Sequence, residues 1–170
     1  SDYCNVWLCQ LEGGLLGYAQ FPSSSGLGGL SSNGGSANTD GVVVGYQFTG
    51  STTNPNPAGG TFGRGRTLTH EIGHYLGLRH TWGDGNCNAD DFCADTPNSD
   101  GPNYGCPNTS SCGSVDQVEN YMDYTDDACM NMFTADQKAR MLTVMANSPR
   151  RNTLGNSTAC GGGGGGGNTC

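Results

Sequence analysis

All three histidines of the chain, His70, His74 and His80, lie within eleven consecutive residues. With Glu71 and Gly77 they form the frame His-Glu-x-x-His-x-x-Gly-x-x-His. On a helix the first two histidines lie one turn apart on the same face, so both imidazoles can bind one metal ion. Gly77 tolerates a positive φ and a sharp turn, which would bring His80 round as a third ligand. Three neutral protein ligands leave a fourth position for water, which is typical of a catalytic zinc site.

Glu71 directly follows the first ligand, so it would lie beside the metal, where a general base belongs. Bound zinc would lower the pKa of its water to about 7 and polarise a peptide carbonyl. Glu71 would then take the proton of the attacking water and deliver it to the leaving amine. A lone His-Glu-x-x-His occurs by chance in unrelated helices, but the longer frame favours a metal site.

The extended frame resembles that of the metzincin zinc peptidases, whose second mark is a methionine turn beneath the metal. A candidate turn is Asn-Tyr-Met-Asp-Tyr at 120–124. The combination of HEIGHYLGLRHTWGD, Asp-Thr-Pro at 95–97 and NYMDYTDDACMNMFTADQKARM resembles the pappalysin branch, the cytophagalysin and ulilysin-like enzymes. GLLGYAQFP at 14–22 resembles the strand that precedes the active-site helix in that family. The resemblance runs from about residue 5 to about 146 and is densest over 64–142.

The resemblance implies an α+β fold, a metzincin zincin-like catalytic domain with a small twisted sheet and an active-site helix. An irregular lower subdomain with a C-terminal helix would complete it. Such domains have further strands and a long helix before the strand expected at 5–9. We therefore expect a catalytic domain over 1–158 that is partial at its N-terminus, followed by a Gly-rich linker or tail over 159–170.

The resemblance also implies roles for individual residues. Met122 would pack under the histidines without bonding the metal. Tyr124 resembles the family's mobile tyrosine, which can bind zinc when the site is empty and could donate to the oxyanion in the transition state; the alternative is an ordinary core tyrosine. Asp126 and Asp127 lie in the loop that usually forms the pocket for the side chain after the cleaved bond. Because these two side chains are acidic and the pappalysin branch is associated with basic residues there, the resemblance implies a preference for Arg or Lys just after the cleaved bond.

Nine cysteines, none in a Cys-x-x-Cys pair, favour disulfides and a secreted protein. By resemblance we expect Cys87–Cys112 and Cys106–Cys129, around the methionine turn. Cys93 would be a buried thiol or would pair elsewhere, and an odd count leaves at least one cysteine without a partner in this chain.

Eleven of the 15 acidic residues lie between Asp84 and Asp136, a window without Lys or Arg. Such a stretch is either solvated or wrapped around cations, and oxygen ligands suit calcium. The resemblance implies calcium too, with Asp91, Asp95 and Thr96 as candidate ligands. The net charge of −8 argues against nucleic-acid binding, and no apolar run approaches 18 residues, which argues against a membrane span. We expect a monomer that acts on protein or peptide substrates.

Branched and aromatic residues predict strands at 5–9 and 42–48, with irregular loops at 23–40 and 54–60. The active-site helix should begin near Thr67 and end at Gly77. A capping box of Thr134 and Gln137 predicts a second helix that stops at 148–149. Its apolar stripe is expected to pack in the core, and it consists of Met141, Leu142 and Met145.

Two other functional classes remain at this point. The chain could be a catalytically inactive, zinc-binding module of a larger secreted protein, or a fragment that has lost activity with its missing strands. The intact Glu71 favours an enzyme, a zinc-dependent endopeptidase.

Overall fold

The computed structural model describes residues 3–23 and 25–157. Strands β1 (Asn5–Cys9), β2 (Gly17–Ala19) and β3 (Gly41–Gly45) form a sheet in the order β1-β3-β2. β1 runs parallel to β3, and β2 runs antiparallel to it. β2 therefore lies at one edge of the sheet, next to the helix that carries the histidine frame.

The core lies where this helix packs on the central strand. Val42 and Val44 of β3 are two residues apart, so their side chains leave the same face, and both are fully buried. They pack with Tyr75 from helix α1 (Arg66–Tyr75), which lies across β3 and β2. By contrast, all five residues of β1 are exposed.

Two predicted strands are shorter than expected. The strand expected at 42–48 ends at Gly45, because residues Tyr46–Phe48 form a single 3-10 turn. This turn lets Phe48 fold back against the core cluster and meet the Phe62 ring edge-on. Of the segment 14–22, only Gly17–Ala19 is β-strand.

The lower part of the domain has little regular structure and is cross-linked by two disulfides, Cys87–Cys112 and Cys106–Cys129. These are the two pairs that the resemblance implies. Short strands β4 (Ser110–Ser111) and β5 (Ser114–Val115) form a hairpin whose turn contains Cys112. Cys93 is a buried free thiol, the first of the two possibilities that the sequence leaves open.

Helix α2 (Ala135–Asn147) begins with the predicted capping box of Thr134 and Gln137 and ends before Ser148. Its predicted apolar stripe is wrong. Leu142 is 54% exposed, Met145 is also exposed and Met141 is only partly buried. The buried face instead carries Gln137, Arg140 and Val144, because the surface it meets offers backbone carbonyls and an amide, which polar side chains can satisfy.

The predicted Gly-rich tail, with Cys160 and Cys170, lies outside the described residues. Within the described part of the chain, no helix has both the length and the apolar character needed to cross a membrane.

Candidate active site

Helix α1 carries the first two histidines and is anchored at both ends by the loops around it. At its start Gly65 offers no side chain as a cap. The Asp127 carboxylate replaces one, since Oδ2 accepts from the amides of Arg64 and Arg66 at 2.7 and 3.2 Å. At its end Gly77 has φ of +89°, the left-handed conformation that the sequence predicts there.

That glycine closes a Schellman turn. The Gly77 amide donates to the His74 carbonyl, and the Leu78 amide donates to the Gly73 carbonyl, both at 2.9 Å. The chain then reverses and returns His80 to the face of α1 that presents His70 and His74. The helix spans one residue more at its start than predicted and ends two residues before Gly77.

The three histidines form a group in which one nitrogen from each side chain lies within 4.8 Å of the others. His74 Nε2 and His80 Nε2 are 3.1 Å apart. Two nitrogens on one tetrahedral zinc ion would be about 3.3 Å apart for bonds of about 2.0–2.1 Å. The spacing therefore fits a shared zinc ion.

The opposite nitrogens fix the ring orientations. His70 Nδ1 lies 2.7 Å from the Tyr121 carbonyl and His74 Nδ1 lies 2.8 Å from the Leu78 carbonyl. His80 Nδ1 contacts the Asp84 carboxylate. Each Nδ1 thus faces an acceptor, which places the proton there and leaves the Nε2 lone pair for a metal.

Burial keeps these imidazoles neutral, as metal ligands must be. It lowers the pKa of His70 well below its usual range and that of His74 to about 4. It also lowers the pKa of His80, although Asp84 opposes this shift.

Glu71 points into the same region from the next position of α1. Its side chain is buried, and burial raises its pKa to about 8. It packs against β2, where a Cβ on Gly17 would be only 2.9 Å from Glu71 Cγ. A carboxylate with a pKa near neutrality can both accept and return a proton.

Met122 is fully buried directly under α1, and a Cβ on Gly73 would collide with its sulfur. Its amide donates to Asn120 Oδ1 at 2.9 Å. Asn120 in turn exchanges two hydrogen bonds with Gln137, the capping-box residue of α2. The methionine turn is therefore held between the two helices.

Tyr124 lies beside the histidines, with its ring centroid 5.6 Å from that of His70 and 4.9 Å from that of His80. It is 39% exposed and borders a cavity of about 380 Å³ that also contains Glu71. This position differs from that of an ordinary core tyrosine. Burial raises the pKa of Tyr124, and the charge of Glu71 raises it further by a smaller amount. The hydroxyl therefore stays protonated and can act as a donor. Other cavity walls are formed by Leu15, Leu16, Tyr18, Phe62, Tyr104 and Met130.

The two acids after the methionine turn differ in position. Asp127 is buried and borders the cavity, although Oδ2 is engaged with the start of α1. Asp126, by contrast, is not among the residues that line the cavity, and its place in the substrate pocket stays a prediction. The chain folds that way because Asp126 sits at a turn, its amide bonded to Gly105 and its carbonyl to Cys129.

The three candidate calcium ligands also differ. Asp91 and Thr96 are buried, and neither Asp91 Oδ2 nor Thr96 Oγ1 has a hydrogen-bond partner among the described residues. Burial raises the pKa of Asp91 to about 6; the Thr96 hydroxyl is close enough to lower it but is not in hydrogen-bond geometry. Asp95 is exposed, and its Oδ2 accepts from the Asp136 amide at 3.0 Å. Two neighbouring unsatisfied oxygens fit a hard cation, but in the described part of the chain only the histidines form a group of three or more His, Cys, Asp or Glu ligands.

The structure places three further residues at the site for which the sequence predicted no role. Asp84 contacts His80 and Trp82 stacks on it, with ring centroids 4.3 Å apart and planes within 3°. The contact between His80 and Asp84 had one signal in the sequence, which is the spacing of four residues between them. Gly17 gave no signal, because its closeness to Glu71 depends on how β2 packs against α1.

Comparison with known proteins agrees with this geometry. The Peptidase M43 family model, described as pregnancy-associated plasma protein-A, matches residues 1–146. Extracellular metalloprotease 1 of Coccidioides posadasii is 39% identical over 140 residues, which are 81% of this chain and 47% of that protein. An extracellular metalloprotease of Arthroderma otae is 42% identical over 135 residues, 77% of this chain and 46% of that protein. The chain thus spans about half the length of these curated relatives.

Among solved structures, mature mirolysin of Tannerella forsythia in complex with a cleaved peptide superposes with a TM-score of 0.74 and 42% identity. The match covers 89% of this chain and 56% of mirolysin. The small mixed sheet with its helices is therefore the α+β metzincin fold, of which the described residues form part. Since the family model covers most of the sequence, the chain belongs to the Peptidase M43 family of pregnancy-associated plasma protein-A.

Proposed function

We propose that this protein is a secreted zinc-dependent endopeptidase in which Glu71 is the general base. The observation that carries the proposal is the convergence of three neutral imidazole nitrogens beside a buried carboxylate, at the wall of an open cavity. The names of the extracellular metalloprotease relatives and the two disulfides support secretion.

The chain's own residues would act as follows. When bound by the three histidines, zinc supplies Lewis acidity that polarises the scissile carbonyl and makes a water molecule acidic. Glu71 takes the proton from the attacking water and then delivers it to the leaving amine. Tyr124, which stays protonated at neutral pH, donates its hydroxyl to the oxygen on which negative charge develops. The substrate backbone would lie along the cavity next to β2, an edge strand.

The test is Glu71→Gln, which preserves size and removes the base. We expect one zinc ion per chain in both proteins by metal analysis, and loss of fluorogenic-peptide hydrolysis by a factor of at least about 10³ in the variant. Glu12→Gln, which alters an exposed glutamate that does not itself line the cavity, is the matched control and should keep full activity. Undiminished turnover by Glu71→Gln would refute the proposed mechanism, and a zinc-loaded but inactive parent chain would favour the inactive binding module.

We also propose a preference for Arg or Lys just after the cleaved bond, with Asp127 as the acid that recognises it. Asp127 borders the cavity, and its Oδ1 remains after Oδ2 has accepted hydrogen bonds from the Arg64 and Arg66 amides. Cleavage-site mapping on a peptide library should therefore show basic residues at this position. Asp127→Asn, whose side-chain oxygen can still accept from the Arg64 and Arg66 amides, should weaken the preference about 10-fold. Asp126→Asn should not change it, and an apolar preference in the parent chain would contradict the assignment.

Calcium is a third proposal, with Asp91 and Thr96 as its side-chain ligands and Asp95 as a contributor from the same loop. The unsatisfied buried oxygens of the first two support it. Without a cation, Asp91 has a pKa of about 6 in the fold against 3.8 ordinarily, so the folded state holds its proton to higher pH. The unfolding free energy then falls as pH rises from about 4 to about 6, by roughly 3 kcal/mol from this group.

Thermal melts with and without calcium at pH 7 test this. Calcium should raise the Tm of the parent chain and of Asp100→Asn, a surface control, but not that of Asp91→Asn. In the metal-free state, the loss of stability between pH 4 and 6 should be smaller in Asp91→Asn than in the parent chain, because the contribution of this group is removed. An equal calcium response in all three proteins would remove Asp91 from the site.

A further inference from the structure

His80 is held differently from the other two histidines. His70 and His74 lie on α1, and their Nδ1 atoms face backbone carbonyls. His80 lies beyond the helix end, and its Nδ1 meets a side chain, the Asp84 carboxylate. The position of the third imidazole nitrogen therefore depends on where that carboxylate is fixed.

Asp84 is itself held by Arg79. The Arg79 guanidinium donates to Asp84 Oδ2 at 3.2 Å and to the Gly83 carbonyl at 2.9 Å. Asp84 has φ of +63°, a left-handed conformation that aspartate tolerates better than most residues. The Gly83 amide closes the turn by donating to the His80 carbonyl at 2.9 Å.

Trp82 restrains the tilt of the His80 ring. Its ring is buried and stacks on the imidazole of His80. Stacking fixes the plane of the imidazole, but it does not determine which nitrogen faces the cavity. The contact with Asp84 determines that, because the carboxylate can only accept a hydrogen bond from a protonated Nδ1.

We propose that Asp84, held in place by Arg79, is a positioning residue that presents Nε2 of His80 to the metal. The inference rests on the proposed zinc site and adds to it the device that completes the site. A carboxylate partner orients a ligating histidine and makes it a stronger donor, and loss of such partners costs about 10–100-fold in metal affinity. Of the three ligands, His80 should therefore be the one whose binding depends on a side chain elsewhere in its loop.

Zinc dissociation constants measured by chelator competition test the proposal. Asp84→Ala should weaken zinc binding about 10–100-fold, and Asp84→Asn, which keeps the shape and an acceptor oxygen, should weaken it less. Asp100→Asn, which also removes one surface charge, should bind zinc like the parent chain. Arg79→Met should weaken binding too, and combining it with Asp84→Ala should add little, because both changes remove the same support.

The outcomes separate this inference from the proposed function. If the parent chain binds zinc and both Asp84 variants bind it equally well, Asp84 has no positioning role, whereas the zinc site stands. If the parent chain binds no zinc, both proposals are overturned. If Asp84→Ala fails to fold, as judged by circular dichroism, the isosteric Asp84→Asn gives the deciding affinity. Additive losses in Arg79→Met with Asp84→Ala would show that Arg79 does not act through Asp84.

Discussion

At the scale of single residues, the site contains one base and one neutral donor close to the same three imidazoles. Burial raises the pKa of both Glu71 and Tyr124. For Glu71 this brings the pKa close to the working range of a proton carrier, whereas for Tyr124 it keeps the hydroxyl proton in place. Their different chemistry thus follows from similar environments acting on different side chains.

Tyr124→Phe tests the role of this hydroxyl. If it donates mainly to charge that develops in the transition state, its loss should lower kcat by about 10–100-fold and change KM by less than about threefold. Steady-state kinetics on a fluorogenic peptide would measure both. Tyr46→Phe, which removes a hydroxyl from an exposed tyrosine outside the cavity, is the control. An unchanged kcat, or a change confined to KM, would count against transition-state donation.

The sequence predicted best the residues whose partners are close along the chain. The histidine frame and the turn at Gly77 occupy eleven residues, so local helix geometry is enough to bring the three histidines together. The capping by Asp127, by contrast, joins residues more than sixty positions apart. No periodicity or spacing encodes such a contact, which is why Asp127 was predicted to line a pocket but not to start a helix.

At the scale of elements, the site depends on how closely β2 and α1 approach. Gly17 lies on β2 opposite Val44 of β3 and faces the Glu71 side chain. A Cβ there would be 2.9 Å from the Val43 carbonyl oxygen and 3.1 Å from Glu71 Oε1. The backbone oxygen cannot move without disturbing the sheet, so glycine is required here by space.

Gly17→Ala should therefore displace Glu71 from its place beside the histidines. We expect zinc binding to persist, kcat to fall at least about 10-fold, and the unfolding free energy to fall by about 1–3 kcal/mol from overpacking. Gly101→Ala is the control, because a Cβ at Gly101 would have no neighbour within 4 Å among the described residues. Peptide hydrolysis, zinc content and urea unfolding of both variants give the answer. Full activity in Gly17→Ala would show that the strand or Glu71 adjusts without cost.

For helix α2, the sequence pattern predicted the ends of the helix but not its buried face. Its ends were predictable, because Thr134, Gln137 and the break at 148–149 act on neighbouring backbone groups. Its buried face was not predictable, because the surface it meets is polar. Arg140 donates to the Gly77 and Gly28 carbonyls, so a charged residue occupies the position that an apolar stripe would assign to a core side chain.

At the scale of the whole molecule, ion pairing and hydrogen bonding supplement a small apolar core. Asp40, just before β3, is buried and its Oδ2 accepts from Arg151 at 2.7 Å. Arg151 follows α2, is also buried, and donates to the carbonyls of Tyr75 and Gln20 at 2.8 and 3.1 Å. Its guanidinium also stacks 3.4 Å above the Tyr75 ring. One side chain thus joins the end of α1, the sheet and the segment after α2.

Arg151→Met should consequently destabilise the entire domain. The substitution keeps much of the side-chain volume but leaves the buried Asp40 carboxylate with the longer ion pair to Arg150 at 3.4 Å and the neutral Gln20 amide at 3.0 Å. Loss of one partner of a buried ion pair costs about 3–5 kcal/mol, and urea unfolding with saturating zinc should show a loss in this range. Arg64→Met, at an exposed arginine, should change stability by no more than about 0.5 kcal/mol. Adding Asp40→Asn to Arg151→Met should recover part of the loss, because it removes the buried charge that has lost its closest cationic partner. A loss below about 1 kcal/mol in Arg151→Met would mean that this network does not hold the sheet, α1 and the segment after α2 together.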